Sequence, residues 1–271
     1  MRTVYVIGIG AGDPDHLTLQ AVAAMNRVDV FLTVDKGAAV DRGAAIDAAA
    51  AADLAALRHE LIARHVRRPH RVVAAPEVPR DRAPADYLGT ATTWQARREA
   101  LYERMIAAEL ADGETGAFLV WGDPSLYDGT LTLLHRIAAR ANADPDHDGI
   151  RVVAIPGVSS VAALAAAFGL VLNRVGAPVL ITTGRRLAER GMPHDVDDVV
   201  VMLDGRQAFA TLADGDLDIY WGAYLGTKDE ILVAGPLPAV RAEILAQRAA
   251  ARERKGWIMD TYLLRRRDRS P

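Results

Sequence analysis

Through the first half of the chain, short β-branched and apolar runs alternate with alanine- and leucine-rich stretches of helical period, the order expected of βαβ units on a parallel sheet. The pattern predicts strands over Val4–Ile9, Asp29–Val34, Arg71–Ala74, Ala117–Trp121 and Arg151–Ile155. Between them it predicts helices near Leu17–Asn26, Ile46–Val66, Thr93–Leu110 and Thr130–Ala141. Val4–Ile9 and Phe118–Trp121 are almost continuously apolar, so this sheet is expected to be covered on both faces. Pro76, Pro79 and Pro84 mark residues 75–90 as a long surface loop.

The rhythm changes after Pro156-Gly157. One small-residue helix, Ser159–Leu170, precedes strands at Val179–Thr182, Val199–Leu203, Asp218–Leu225, Glu230–Ala234 and Trp257–Leu263. A single long helix, Ala239–Lys255, is ended by Gly256. The stretch from Tyr224 to Glu230 is too short to hold a crossover helix, so the second sheet is expected to be mixed. The fold class that follows is α/β in two domains: residues 1–156 with a parallel sheet and residues 157–271 with a mixed one.

Composition narrows the chemistry. The 271 residues include no cysteine, which removes disulfides, thiolate metal sites and cysteine nucleophiles. None of the seven histidines has a metal-ligand spacing, so no metal site is expected. A net charge of -3 argues against a general nucleic-acid surface, which an RNA 2′-O-methyltransferase would need. No stretch reaches the ~20 apolar residues of a membrane span, and the first strand begins too early for a secretory leader. Both features predict a cytoplasmic protein. A local cation cluster does stand out: Arg58, Arg64, Arg67, Arg68, Arg71, Arg80, Arg82, Arg97, Arg98 and Arg104. It could grip a substrate bearing several carboxylates, although arginine is also this chain's default solvent-facing cation.

Gly-Asp-Pro occurs twice, at Gly12-Asp13-Pro14 and at Gly122-Asp123-Pro124, each time where an apolar run stops. Asp before Pro reads as an N-cap and first helical residue, so each site is expected to be strand, tight turn and helix start. A carboxylate in that position competes with a phosphate for the helix end and favours a neutral or cationic ligand. Gly8-Ile9-Gly10-Ala11-Gly12-Asp13, with Asp35 downstream, also invites a dinucleotide-binding reading; it departs from that pattern where Asp13 stands in place of a small residue. A nucleophile elbow at Gly157-Val158-Ser159-Ser160-Val161 lacks its final glycine.

Three segments carry a resemblance: Val6 to Pro14 with Leu17-Thr18, Trp121 to Tyr127, and Ile155 to Ser160. Their order and spacing are similar to those of the tetrapyrrole methylases. Gly226-Thr227-Lys228-Asp229-Glu230 with Val233-Ala234-Gly235 extends the similarity over nearly the whole chain. Asp35-Lys36-Gly37, Thr182 to Leu187, Tyr220 to Gly226 and Gly256 to Leu264 resemble the branch that methylates carbon 1 of precorrin-5 and releases acetate; another precorrin methylation is the alternative.

The resemblance implies S-adenosylmethionine folded into a cleft between two α/β domains, S-adenosylhomocysteine as product, a tetrapyrrole substrate and a homodimer. By motif position it implies cofactor contacts from Ala11, Trp121, Gly122, Asp123, Leu126, Tyr127, Ser159, Ser160, Thr183, Trp221 and Tyr224. Ala11 and Thr183 depart from the family's usual proline and methionine. Asp35 is the candidate catalytic base for the deacetylation, and Arg97 and Arg98 are candidates for substrate carboxylates. For Asp13, Asp123, Ser159 and Ser160, helix capping is the competing role.

Overall fold

A computed structural model describes residues 1–35, 45–76, 78, 87–145, 148–212 and 215–267; the side chains of 35, 45–52 and 87–92 fall outside the description. The chain divides into two compact units, Met1–Gly10 with Pro14–Val158, and Ser159–Pro271 with Ala11–Asp13.

The first unit carries β1 (Arg2–Gly8), α1 (Leu19–Met25), β2 (Val30–Asp35), α2 (Ala45–His65), β3 (Arg71–Pro76), α3 (Tyr87–Glu109), β4 (Thr115–Val120), α4 (Thr130–Ala143) and β5 (Ile150–Ile155). The strands lie in the order β3-β2-β4-β1-β5, all parallel. Alternate residues of each strand feed two cores. Val4, Val6, Leu32, Phe118 and Val120 face α3 and α4, whereas Tyr5, Ile7, Phe31 and Leu119 face α1 and α2. Coverage of both faces is why the strand sequences lack polar alternation. Most of the expected loop at 75–90 lies outside the described residues.

The second unit carries α5 (Ser160–Phe168), β6 (Val179–Thr183), α6 (Gly184–Arg190), β7 (Asp198–Met202), β8 (Leu217–Ala223), β9 (Ile231–Pro236), α7 (Leu237–Lys255) and β10 (Asp260–Arg266). The sheet order is β6-β7-β10-β8-β9, with β6 and β7 parallel and every other pair antiparallel, the mixed sheet expected from the short turn after Tyr224. The seven-residue helix α6 is an addition to the sequence reading, because it opens on glycine and offers no apolar period. Among the described residues, no helix is long and apolar enough to cross a membrane.

This unit's core holds charge. Arg248 donates from Nε to Asp260 Oδ2 at 2.9 Å and from Nη2 to the main-chain oxygen of Asp204 at 3.1 Å. Trp221 donates to the same Asp260 oxygen at 2.9 Å, and Tyr262 donates to Asp204 Oδ2 at 2.7 Å. Burial pushes the Asp260 carboxyl above the usual carboxylate range, against the opposing pull of Arg248 and the hydrogen bond from Trp221.

Candidate functional site

Three loops leave the carboxyl ends of β1, β4 and β5, and glycine lets their backbones touch. A Cβ on Gly8 would stand 2.7 Å from both Gly122 O and Gly157 N; one on Gly157 would stand 2.3 Å from Gly122 O and 2.7 Å from Gly8 C. No side chain fits there. Gly10 and Gly122 exchange main-chain hydrogen bonds, Gly122 N to Gly10 O at 2.7 Å and Gly10 N to Gly122 O at 3.3 Å. This knot was hidden in the sequence, although a glycine closely following each of three apolar strands was its signal.

The Gly-Asp-Pro expectation needs correction. Asp13 precedes only a three-residue 3-10 turn, Pro14–His16, and α1 starts later with Thr18 as its cap, Oγ1 accepting from Ala21 N at 3.0 Å. After β4, α4 begins at Thr130, whose amide donates to Asp128 Oδ1 at 2.8 Å. Asp123 caps no helix. Its Oδ1 accepts from the Ser125 amide at 2.8 Å and from the Ser125 hydroxyl, and its Oδ2 accepts from Gly157 N at 2.9 Å. The carboxylate therefore braces the β4 loop against the β5 loop. Partial burial raises its pKa, but the hydrogen bonds from Ser125 and Gly157 outweigh that and hold it below the usual carboxylate value, so it stays ionised.

These bonds bear on the dinucleotide reading. A pyrophosphate needs main-chain N–H groups directed at it. Here Ile9 N is given to Val120 O at 2.9 Å, and the amides of Gly10, Gly122 and Gly157 are each donated within the knot. A fixed anion stands beside them. These four amides are closed to a pyrophosphate, and the neighbouring ionised carboxylate favours a cationic ligand.

The remaining expected residues are distributed as follows. Trp121 is partly buried against the core shared with α1 and α2, and Leu126 is half-buried. Tyr127 is 48% exposed with φ +54, a left-handed backbone that a tyrosine adopts only when its surroundings hold it there. Burial raises its hydroxyl pKa. In the second unit Ala11 is buried beside Gly12, where a Cβ would meet Leu225 O at 2.7 Å. Ser159 caps α5, accepting from Ala162 N at 3.2 Å, and Thr183 caps α6, accepting from Arg186 N at 3.4 Å. Ser160 accepts from the Thr261 hydroxyl at 3.2 Å. Each of these hydroxyls still carries a proton to donate.

The rings of Trp221 and Tyr224 are 0% and 2% exposed; Trp221 donates to Asp260 and Tyr224 donates its hydroxyl to Trp257 O, so the polar tip of each ring is spent inside the unit. Arg98 is likewise engaged by its own helix: its guanidinium lies 4.8 Å from the Trp94 ring centre and donates to Tyr102 Oη at 2.7 Å. Arg97 is exposed. Asp35 ends β2 in register with Pro76, and its side chain lies outside the described residues.

The family model for tetrapyrrole (corrin/porphyrin) methylases matches residues 3–241. The chain is 44% identical over 267 residues to a precorrin-6A synthase (deacetylating) from Sinorhizobium sp, covering 98% of this chain and 96% of that protein. Among solved structures it is similar to a cobalamin synthesis related protein (CobF) from Corynebacterium diphtheriae, with TM-score 0.77, 34% identity, and coverage of 99% and 100%. A uroporphyrin-III C-methyl transferase from Thermus thermophilus, complexed with S-adenyl homocysteine, shares the fold at TM-score 0.55 and 19% identity, with coverage of 97% and 91%.

Proposed function

Since this chain belongs to the tetrapyrrole (corrin/porphyrin) methylases, we propose that it transfers a methyl group from S-adenosylmethionine to carbon 1 of precorrin-5 and releases acetate, giving precorrin-6A. The single observation that carries this reading is the 44% identity, over nearly the full length of both chains, with a protein named as the deacetylating synthase. The local chemistry supports it: an ionised Asp123 and internally spent loop amides favour a sulfonium over a pyrophosphate.

When bound, S-adenosylmethionine supplies a methyl group already activated on a cationic sulfur. What remains for the protein is to orient the macrocycle carbon and to exclude water, the positional effects that dominate oriented bimolecular reactions. We assign cofactor contacts to Trp121, Gly122, Asp123, Leu126 and Tyr127 on the first unit, and to Ala11, Ser159, Ser160, Thr183 and the main chain at Trp221 and Tyr224 on the second. Arg97 and Arg98 on α3 are assigned to substrate carboxylates. Asp35 is assigned as the base that takes a proton from water as the water adds to the acetyl ketone. The bond between that carbonyl carbon and the macrocycle then breaks, its electron pair passes to the ring, and acetate leaves. The working form in this proposal is a cytoplasmic homodimer.

The test is direct. Purified protein with methyl-labelled S-adenosylmethionine and precorrin-5 is expected to yield a product carrying one added labelled methyl and lacking the acetyl group, with one equivalent of acetate. Labelled product without acetate would reassign the chain to another precorrin methylation. No labelled product, together with thermal stabilisation by NAD(P) and none by S-adenosylhomocysteine, would overturn the proposal.

A further inference from the structure

His16 has no part in the reaction described so far. It closes the three-residue 3-10 turn Pro14–His16 at the carboxyl end of β1, and the structure holds it from both sides. On one side lies the glycine knot. A Cβ on Gly10, whose φ is +86, would stand 2.4 Å from His16 Cβ, so glycine is what lets the two segments close. Gly10 itself is fixed by its two main-chain bonds with Gly122. On the other side Thr18 Oγ1 donates to Pro156 O at 3.4 Å, which ties the residues after the turn to the β5 loop, one position before Gly157. The imidazole is therefore carried by rigid backbone among the loops that leave β1, β4 and β5. In open parallel sheets that carboxyl edge is where ligands bind.

One nitrogen of the ring is sealed. His16 is half-buried, yet its Nδ1 is shut off from solvent and has no hydrogen-bond partner among the described residues. A polar atom left in that state calls for a reason, and catalysis is one. Any ligand must meet the ring through Nε2. Which nitrogen of a neutral imidazole carries the proton is set by the bonds the two make. An N–H buried without an acceptor costs more than a lone pair buried without a donor, so Nδ1 keeps the lone pair and an acceptor at Nε2 finds a donor there. His65 has a similarly sealed Nε2, but it ends α2, with its main-chain oxygen on Asn26 Nδ2, at the amino edge of the sheet and away from these loops. A sealed nitrogen and a place at the carboxyl edge coincide in His16.

We propose that His16 is a further catalytic residue of the deacetylation, its Nε2–H donating to the oxygen of the substrate's acetyl ketone. This rests on the function proposed above and deepens it. As water adds to the carbonyl carbon, a water proton passes to the base and the carbonyl π pair moves onto the oxygen, where a pre-placed donor stabilises the developing anion. When that pair re-forms the C=O bond, the bond to the macrocycle breaks, its electron pair passes to the ring, and the acid leaves as acetate and a proton. The imidazole keeps its own proton throughout. It acts as a neutral electrophile, a role distinct from that of the base.

His16→Leu removes the donor, whereas His16→Gln keeps an N–H at a similar reach. Wild-type enzyme and both variants are assayed for acetate release from precorrin-5 with S-adenosylmethionine, alongside calorimetry with S-adenosylhomocysteine and thermal melting. Expected for His16→Leu is a kcat for acetate release lowered about 100-fold, with the KM for precorrin-5 and the S-adenosylhomocysteine affinity unchanged within about twofold. His16→Gln is expected to release acetate at least about tenfold faster than His16→Leu. Acetate release from His16→Leu at the wild-type rate would overturn the inference. A raised KM with an unchanged kcat would make the ring a binding contact only and overturn it too. His16→Gln as slow as His16→Leu would make the ring a proton acceptor or a packing element, and would equally overturn it. Failure of wild-type protein to release acetate from precorrin-5 would refute the proposed function itself, and this inference with it.

Discussion

Replacing Gly157 with alanine tests whether the three loop backbones are in contact. The added Cβ would lie 2.3 Å from Gly122 O, 2.7 Å from Gly8 C and 2.8 Å from Gly8 Cα, all main-chain atoms that cannot rotate away. To reach even 3.0 Å the loops must part by about 0.7 Å, which strains the hydrogen bond from Gly157 N to Asp123 Oδ2. Overpacking of this kind costs about 1–3 kcal/mol, and a weakened charge-assisted bond adds about 1 kcal/mol, so a loss near 3 kcal/mol is expected. At a urea dependence of about 2–3 kcal/mol per M, the unfolding midpoint of the first unit falls by about 1 M. S-adenosylhomocysteine affinity, measured by calorimetry, is expected to fall as well, since Asp123 moves with the loop. Gly205→Ala is the control, because a Cβ there meets nothing within 4 Å and its backbone is not left-handed. If Gly157→Ala unfolds at the same urea concentration as Gly205→Ala and binds the ligand normally, the contact geometry is wrong.

Three further outcomes are expected. Asp123→Asn removes a carboxyl held below its usual value, a contribution present above about pH 4 and lost as pH falls through the depressed value; the stability gap to wild type, followed by urea melts, is therefore constant near neutrality and closes in acid. Arg248→Met leaves the buried Asp260 without its cation and the main-chain oxygen of Asp204 without that donor, at a cost of about 3–5 kcal/mol at pH 7. That cost shrinks on acidification, because burial already raises Asp260 and protonation relieves it; a pH-independent loss in denaturant melts would contradict the assignment. Tyr127→Gly releases a left-handed backbone at φ +54 from a side chain 48% exposed, so by calorimetric melting the variant is expected to be no less stable than wild type, with a gain of up to about 1 kcal/mol, while S-adenosylhomocysteine affinity drops.

The amino-acid order alone determined the βαβ rhythm, the parallel first sheet, the mixed second sheet and the places where chemistry-bearing loops leave the strands. These follow from short-range rules: apolar period, β-branched runs, and turns too short to hold a crossover. Tertiary structure decided the rest. Asp123 looked like a helix cap, but its Oδ2 partner is Gly157, thirty-four residues away, and α4 starts only after Gly129, with the Thr130 amide donating to Asp128. Trp221 and Tyr224 sit in motif segments that promise ligand contact, yet the pairing of β8 with β9 and β10 and the packing around them bury both rings. The helix Gly184–Arg190 has no period to betray it and is held by the cap on Thr183. The knot of Gly8, Gly122 and Gly157 exists only once strand order and register are set. Local signals act over a few residues of chain, whereas contacts between segments a hundred residues apart depend on which strands become neighbours and where they stop pairing.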